Sequence, residues 1–132
     1  MSASDQTRLQ LDKFAKALDS LHEAAAESET RMARDSLLLR FVFTFEMAWQ
    51  AMRLALRDRG DDETPRVAFA VLETAFKVRM VTDADLWTQL REARNGVSHA
   101  YDEAMAITLA ALVRELAIPE FGRLLEALKA KT

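Results

Sequence analysis

From Asp35 to Arg59 the chain runs without a single Gly or Pro. The aromatic and apolar residues Phe41, Phe43, Phe45, Met47 and Trp49 alternate as a strand would. Length decides against a strand, because a typical one spans five or six residues and this stretch offers no turn residue within it. It reads as a long helix, and Gly60 follows where a helix places its C′ residue. At roughly 100° per residue, Phe41, Phe45, Ala48, Trp49, Met52 and Leu56 share one broad face. Glu46, Gln50, Arg53 and Arg57 form a polar stripe, and Phe43, Met47 and Leu54 form a second apolar patch beyond it. A helix with two apolar faces sits inside a bundle, carries an interface between subunits, or does both. Both are expected here.

The rest of the chain agrees with that centre. With three Gly and two Pro in 132 residues, there is little punctuation and room for one domain, residues 1–132. The expected fold is all-α, an up-and-down bundle of about five helices that associates as a homodimer. Helix one should span Asp5 to Ala26, capped by Ser4, with Leu9, Phe14, Leu18 and Leu21 as its apolar stripe. Glu27 to Thr30 reads as a connection, and Asp61-Asp62-Glu63 as a solvated acidic loop. Thr64-Pro65 predicts an N-cap with Pro in the first turn, for a helix over about 65–79. Thr82 and Asp83 open a fourth helix that turns Leu86, Trp87 and Leu90 inward and reaches Arg94. Asn95-Gly96 then ends or bends it. Asp102-Glu103 start a fifth helix to about Ala117, kinked or broken at Pro119 before a last helical segment to Lys131.

Composition narrows the functional classes. A net charge of −3 argues against a general nucleic-acid coat, so any RNA contact would have to be local, at a basic cleft. The absence of Cys suits a reducing compartment and removes thiolate metal sites. Two widely separated histidines with no carboxylate cluster around them give no zinc site, and no cofactor motif is found. The N-terminus lacks the basic and apolar regions of a signal peptide, and Leu37 to Leu56 is broken by Arg40, Glu46, Gln50 and Arg53. The expectation is a cytoplasmic protein with no membrane span.

The chemistry-bearing residues cluster in Arg94-Asn95-Gly96-Val97-Ser98-His99-Ala100-Tyr101. An arginine can hold a phosphate and an imidazole can move a proton near neutral pH. His99 is one of two histidines and Tyr101 is the one tyrosine. Singly, each has a plainer role: a helix-end charge, a junction histidine, a tyrosine at the core edge. Together they suit metal-independent RNA cleavage, in which a 2′-hydroxyl attacks the neighbouring phosphodiester. His99 would then act as general acid or base and Arg94 would neutralise the developing charge, with Asn95 or Ser98 positioning the phosphate. One subunit offers one such His, so a symmetric dimer presenting two copies across a cleft would supply both acid and base.

The spacing Arg-x4-His-x-Tyr, with Asn after the Arg, resembles the signature of the HEPN superfamily. Phe45-Glu46-Met47-Ala48-Trp49, Thr64-Pro65-Arg66, Val81-Thr82-Asp83 with Trp87, and Arg94 through Glu103 occur in order over essentially the whole chain. That set is similar to one HEPN family, the nucleotidyltransferase substrate-binding proteins encoded beside a minimal nucleotidyltransferase. The resemblance implies a helical homodimer bound by that partner. Related members are ribonuclease toxins, and the partner is an antitoxin that adenylylates the motif tyrosine. Arg94 and His99 would accordingly be catalytic and Tyr101 the AMP acceptor. AMP there would set bulk and negative charge beside Arg94 and exclude an RNA phosphate. Glu46 is that family's helix-two acid, and on the sequence it either supports the site or lies on the polar stripe, the second being the plainer reading.

Two other functions compete with the ribonuclease toxin: a non-catalytic subunit that binds a substrate or nucleotide for the nucleotidyltransferase, and a plain helical adaptor. The chain does not read as the nucleotidyltransferase itself, having neither a Gly-Ser turn with paired strand carboxylates nor a Gly-rich phosphate loop.

Overall fold

Each of the five helical rods begins where a side-chain oxygen can receive an orphan amide, with one exception. The structure is a computed structural model that describes residues 4–60, 65–99 and 102–130. In α1 (Asp5–Ala26) the Ser4 hydroxyl accepts from the Thr7 amide, as expected. Thr30 does the same for Ala33 at the head of α2 (Arg31–Asp58), which therefore starts one turn before Asp35. Asp83 caps α4 (Ala84–Val97) through the Leu86 amide at 3.0 Å. Asp102 caps α5 (Glu103–Leu112) through Met105 at 2.7 Å.

The exception is α3 (Ala68–Lys77), whose N-cap is Val67 with no side-chain cap bond. The Thr64 cap expected there, like the acidic loop 61–63, lies outside the described residues. Pro65 precedes the helix instead of entering its first turn, so α3 is shorter at both ends than the 65–79 expectation. Its C-terminus closes as a Schellman turn: Met80 N–H bonds Ala75 O at 2.8 Å and Arg79 N–H bonds Phe76 O at 3.1 Å. That turn requires a left-handed residue, and Arg79 supplies it at φ 62°. Gly60 does so more easily after α2, at φ 92°.

Pro119 neither breaks nor ends the last helix. A π-turn (Val113–Ala117) widens the helix just before it, with Ile118 N–H reaching back to Val113 O. Proline has no N–H to give, and the widened turn relieves its clash with the preceding carbonyl. The chain then continues directly into α6 (Ile118–Lys129). Since α5 and α6 form one rod through that turn, the bundle has five helical rods, and no strand occurs among the described residues.

The α2 helix is central, packing against every other helix. Its expected core face is confirmed: Phe41, Phe45, Ala48, Trp49, Met52 and Leu56 are all buried. Phe41 and Phe45 meet Trp87 and Phe121 in a ring cluster, with Trp87 and Phe121 centroids 5.9 Å apart and Phe14 edge-on to Phe121 at 6.1 Å. The Trp87 indole N–H donates to Glu120 at 2.6 Å, and Arg123 holds both oxygens of Glu120 at 2.7 Å. Burial of this carboxylate is therefore compensated.

Leu9 departs from the expected stripe and is exposed. It stands about 200° around α1 from Leu11, which takes the inward position. Leu86 is half-buried instead of facing fully inward. Of the second apolar patch of α2 only Phe43 faces outward, 59% exposed beside Leu39 at 60%, whereas Met47 and Leu54 are half-buried and Met47 packs against the core.

Candidate functional site

The motif sits where the last turn of α4 crosses the middle of α2. Helix α4 does not end or bend at Asn95-Gly96; Gly96 stays helical, and the helix closes after Val97. Helical register favours this, because a Cβ at Gly96 would meet nothing nearer than Leu109 at 4.0 Å, so the glycine marks neither a tight approach nor a positive φ. His99 follows in a turn, its amide donating to Gly96 O at 3.0 Å.

Arg94 turns towards α2. Its Nε donates to Glu46 Oε1 at 2.9 Å and its Nη2 lies 2.8 Å from the same oxygen. The second oxygen, Glu46 Oε2, accepts from the Trp49 indole N–H at 2.8 Å. Trp49 is itself buried, so Glu46 is fixed from below and fixes Arg94 above. The plainer reading of Glu46, a residue merely on the polar stripe, is not what this geometry favours. Trp49 is the member that sequence reasoning missed; it read as core, and the Glu46-Trp49 spacing of three was the available signal.

With its Nε and Nη2 edge occupied, Arg94 keeps its Nη1 side open, 3.5 Å from Asn95 Oδ1, a distance too long to hold it strongly. Asn95, Ser98 and His99 are exposed. The Ser98 hydroxyl donates to Asn95 O at 3.0 Å, which satisfies a carbonyl of the last turn. Tyr101 lies outside the described residues. The helix that follows it is held by Glu103, which receives Arg34 Nη2 at 2.7 Å. Arg34 is buried, and Glu29 lies 4.0 Å from its Nη1 and 3.3 Å from Arg114. Among the described residues no three His, Asp or Glu side chains converge as metal ligands. No helix among them is long and apolar enough to cross a membrane.

Chemically, the last turn of α4 offers a guanidinium held in a fixed direction, and the turn after it an exposed imidazole. A guanidinium can hold a phosphodiester and an imidazole can move a proton.

A crystal structure of a Thermus thermophilus protein is similar to this chain with a TM-score of 0.72 and 28% identity, covering 89% of this chain and 96% of that one. No curated protein matches. A family profile described as nucleotidyltransferase substrate binding protein like matches residues 9–130. On that match, with the helical bundle above, the chain belongs to the nucleotidyltransferase substrate-binding family of HEPN-like proteins.

Proposed function

We propose that this chain is the HEPN partner of a minimal nucleotidyltransferase in a two-component, toxin–antitoxin type system. In this reading it is a metal-independent endoribonuclease that uses Arg94 and His99 across a homodimer cleft and is silenced by adenylylation of Tyr101. The observation that carries the reading is the chain Trp49–Glu46–Arg94, in which a buried indole orients a carboxylate that orients the guanidinium. A merely solvated helix-end arginine needs no such support.

The cleavage step balances within the substrate. The 2′-oxygen attacks phosphorus as its proton passes to one imidazole, the 5′-oxygen leaves with a proton from the other, and a 2′,3′-cyclic phosphate remains. Arg94 meets the equatorial charge, and Asn95 offers an amide to a non-bridging oxygen. The dimer draws support from the outward face of α2. Phe43 lies on the turn next to Glu46, so a second copy seated on Leu39 and Phe43 would bring the two motifs to a shared edge.

The test is cleavage of single-stranded RNA, in a metal chelator, by the unmodified protein and by His99→Ala and Arg94→Ala. Products ending in 2′,3′-cyclic phosphate from the parent alone are expected. Equal cleavage by His99→Ala would refute the catalytic assignment. The second reading, a non-catalytic subunit that binds substrate or nucleotide for the nucleotidyltransferase, draws on the family's own description. It expects binding without turnover, with the partner's activity falling when this subunit is removed.

A further inference from the structure

The α3–α4 face is the part of the surface that the proposed chemistry leaves unexplained. It carries two exposed phenylalanines, Phe69 and Phe76, 57% and 47% accessible and two helical turns apart on one side of α3. Two adjoining hollows run along it, of about 190 and 250 Å³. Their linings include three cations, Lys77, Arg79 and Arg91, against one carboxylate, Glu73. None of the three makes an ion pair with a described carboxylate, whereas Arg34, Arg40, Arg94, Arg114 and Arg123 all do. The Arg91 guanidinium instead lies over the Phe69 ring, 5.0 Å from its centroid. On a chain of net charge −3 this is a local cationic and aromatic strip.

Register links the strip to the motif. Ala84, Thr88 and Arg91 line the first hollow, and the same side of α4 continues through Asn95 to Ser98. At 1.5 Å per residue, Arg91 and Ser98 are about 10 Å apart along the helix. The order from the far end is Arg79 and Lys77, Phe76, Phe69 with Arg91, Asn95 and Ser98, and then His99.

We propose that this strip is a docking track for single-stranded RNA, along which bases stack on Phe76 and Phe69 while Lys77, Arg79 and Arg91 follow the phosphates towards Arg94 and His99. The assignment rests on the reading of the motif as an RNA site. Single-stranded nucleic acid fits because it presents flat apolar rings to the exposed phenylalanines and an anion at every step to three cations that have no described counter-charge. A duplex hides its bases and does not fit. An apolar protein helix would leave three cations without counter-charge.

The test is fluorescence anisotropy with a fluorescein-labelled, single-stranded 2′-O-methyl RNA 12-mer, which cannot be cleaved because its attacking hydroxyl is blocked. The parent should bind it in preference to the same sequence as a duplex. Phe69→Ala with Phe76→Ala should weaken binding by roughly tenfold per ring, and the pair Phe69→Tyr, Phe76→Tyr should retain it. Arg91→Ala should flatten the dependence of log affinity on log salt by about 0.7. Circular dichroism melts confirm that each variant is folded. Parent-like affinity in the double alanine variant would overturn the proposal. So would a variant that keeps the oligonucleotide but loses a co-expressed nucleotidyltransferase, since the face would then be a protein surface. Because the probe cannot react, absence of ribonuclease activity sinks the catalytic reading without altering this result.

Discussion

Replacing Glu46 by Gln tests whether the site is built or accidental. The substitution keeps shape and one acceptor but removes the charge that holds Arg94 at 2.9 and 2.8 Å and receives Trp49 at 2.8 Å. Both partners of the ion pair are about one-third exposed, with side chains 38% and 31% accessible, so its own contribution is at most about 1 kcal/mol. Weakening the indole hydrogen bond, which lies nearer the core, adds about 1 kcal/mol. The expected loss of about 1–2 kcal/mol lowers the melting temperature by roughly 3–8 °C for a domain of this size. Activity should fall further than stability explains. An arginine released from its orienting carboxylate is displaced from the phosphate, and a 1 Å misplacement is worth about 100-fold in rate. Thermal melts and kcat/KM for RNA cleavage, both at a temperature where the variant stays folded, give the comparison. A Glu46→Gln protein that melts lower but cleaves as well as the parent would refute the reasoning and return Glu46 to a structural role.

Other outcomes follow from particular contacts. Arg79→Gly should raise stability by up to about 1 kcal/mol in a denaturant titration, because Arg79 sits at φ 62°, where only glycine is unstrained. Burial raises the Asp58 carboxyl, but hydrogen bonds from Thr7 and Ser4 and the charge of Arg57 outweigh it and leave the pKa below the ordinary value. A depressed carboxyl stabilises the fold above its unfolded pKa, near 4, and loses that contribution as pH falls through the folded value. The parent should therefore exceed Asp58→Asn in melting temperature at neutral pH, and the gap should close below about pH 4. Leu39→Glu with Phe43→Glu should convert a dimer to monomer in sedimentation experiments while helical content is kept; an unchanged mass would remove this face as the dimer surface.

Much of this architecture is legible in the sequence because a few residues carry unambiguous local physics. Ser4, Asp83 and Asp102 are caps by residue type alone, and the face from Phe41 to Leu56 is core by period alone. What the sequence conceals is decided by tertiary context. Leu9 is apolar on its own helix but has no neighbour to bury it. Pro119 looks like a break until a π-turn absorbs it, and that turn has no signal of its own. Gly96 suggests a bend, yet the helix passes through it. Arg94 and His99 stand out by their spacing, and Glu46 and Trp49 are three apart on one helix, but the Glu46–Arg94 pair joins α2 to α4, a relation that spacing along one chain cannot express.

The central claim is that this protein is the regulated half of a pair, switched through Tyr101. The most direct measurement is the intact mass of the protein after co-expression with its nucleotidyltransferase, beside Tyr101→Phe treated identically. Mass increments of whole adenylyl groups that disappear in Tyr101→Phe are the expected result. An unmodified mass in a stable complex of the two proteins would contradict the claim and leave the substrate-binding subunit as the better description.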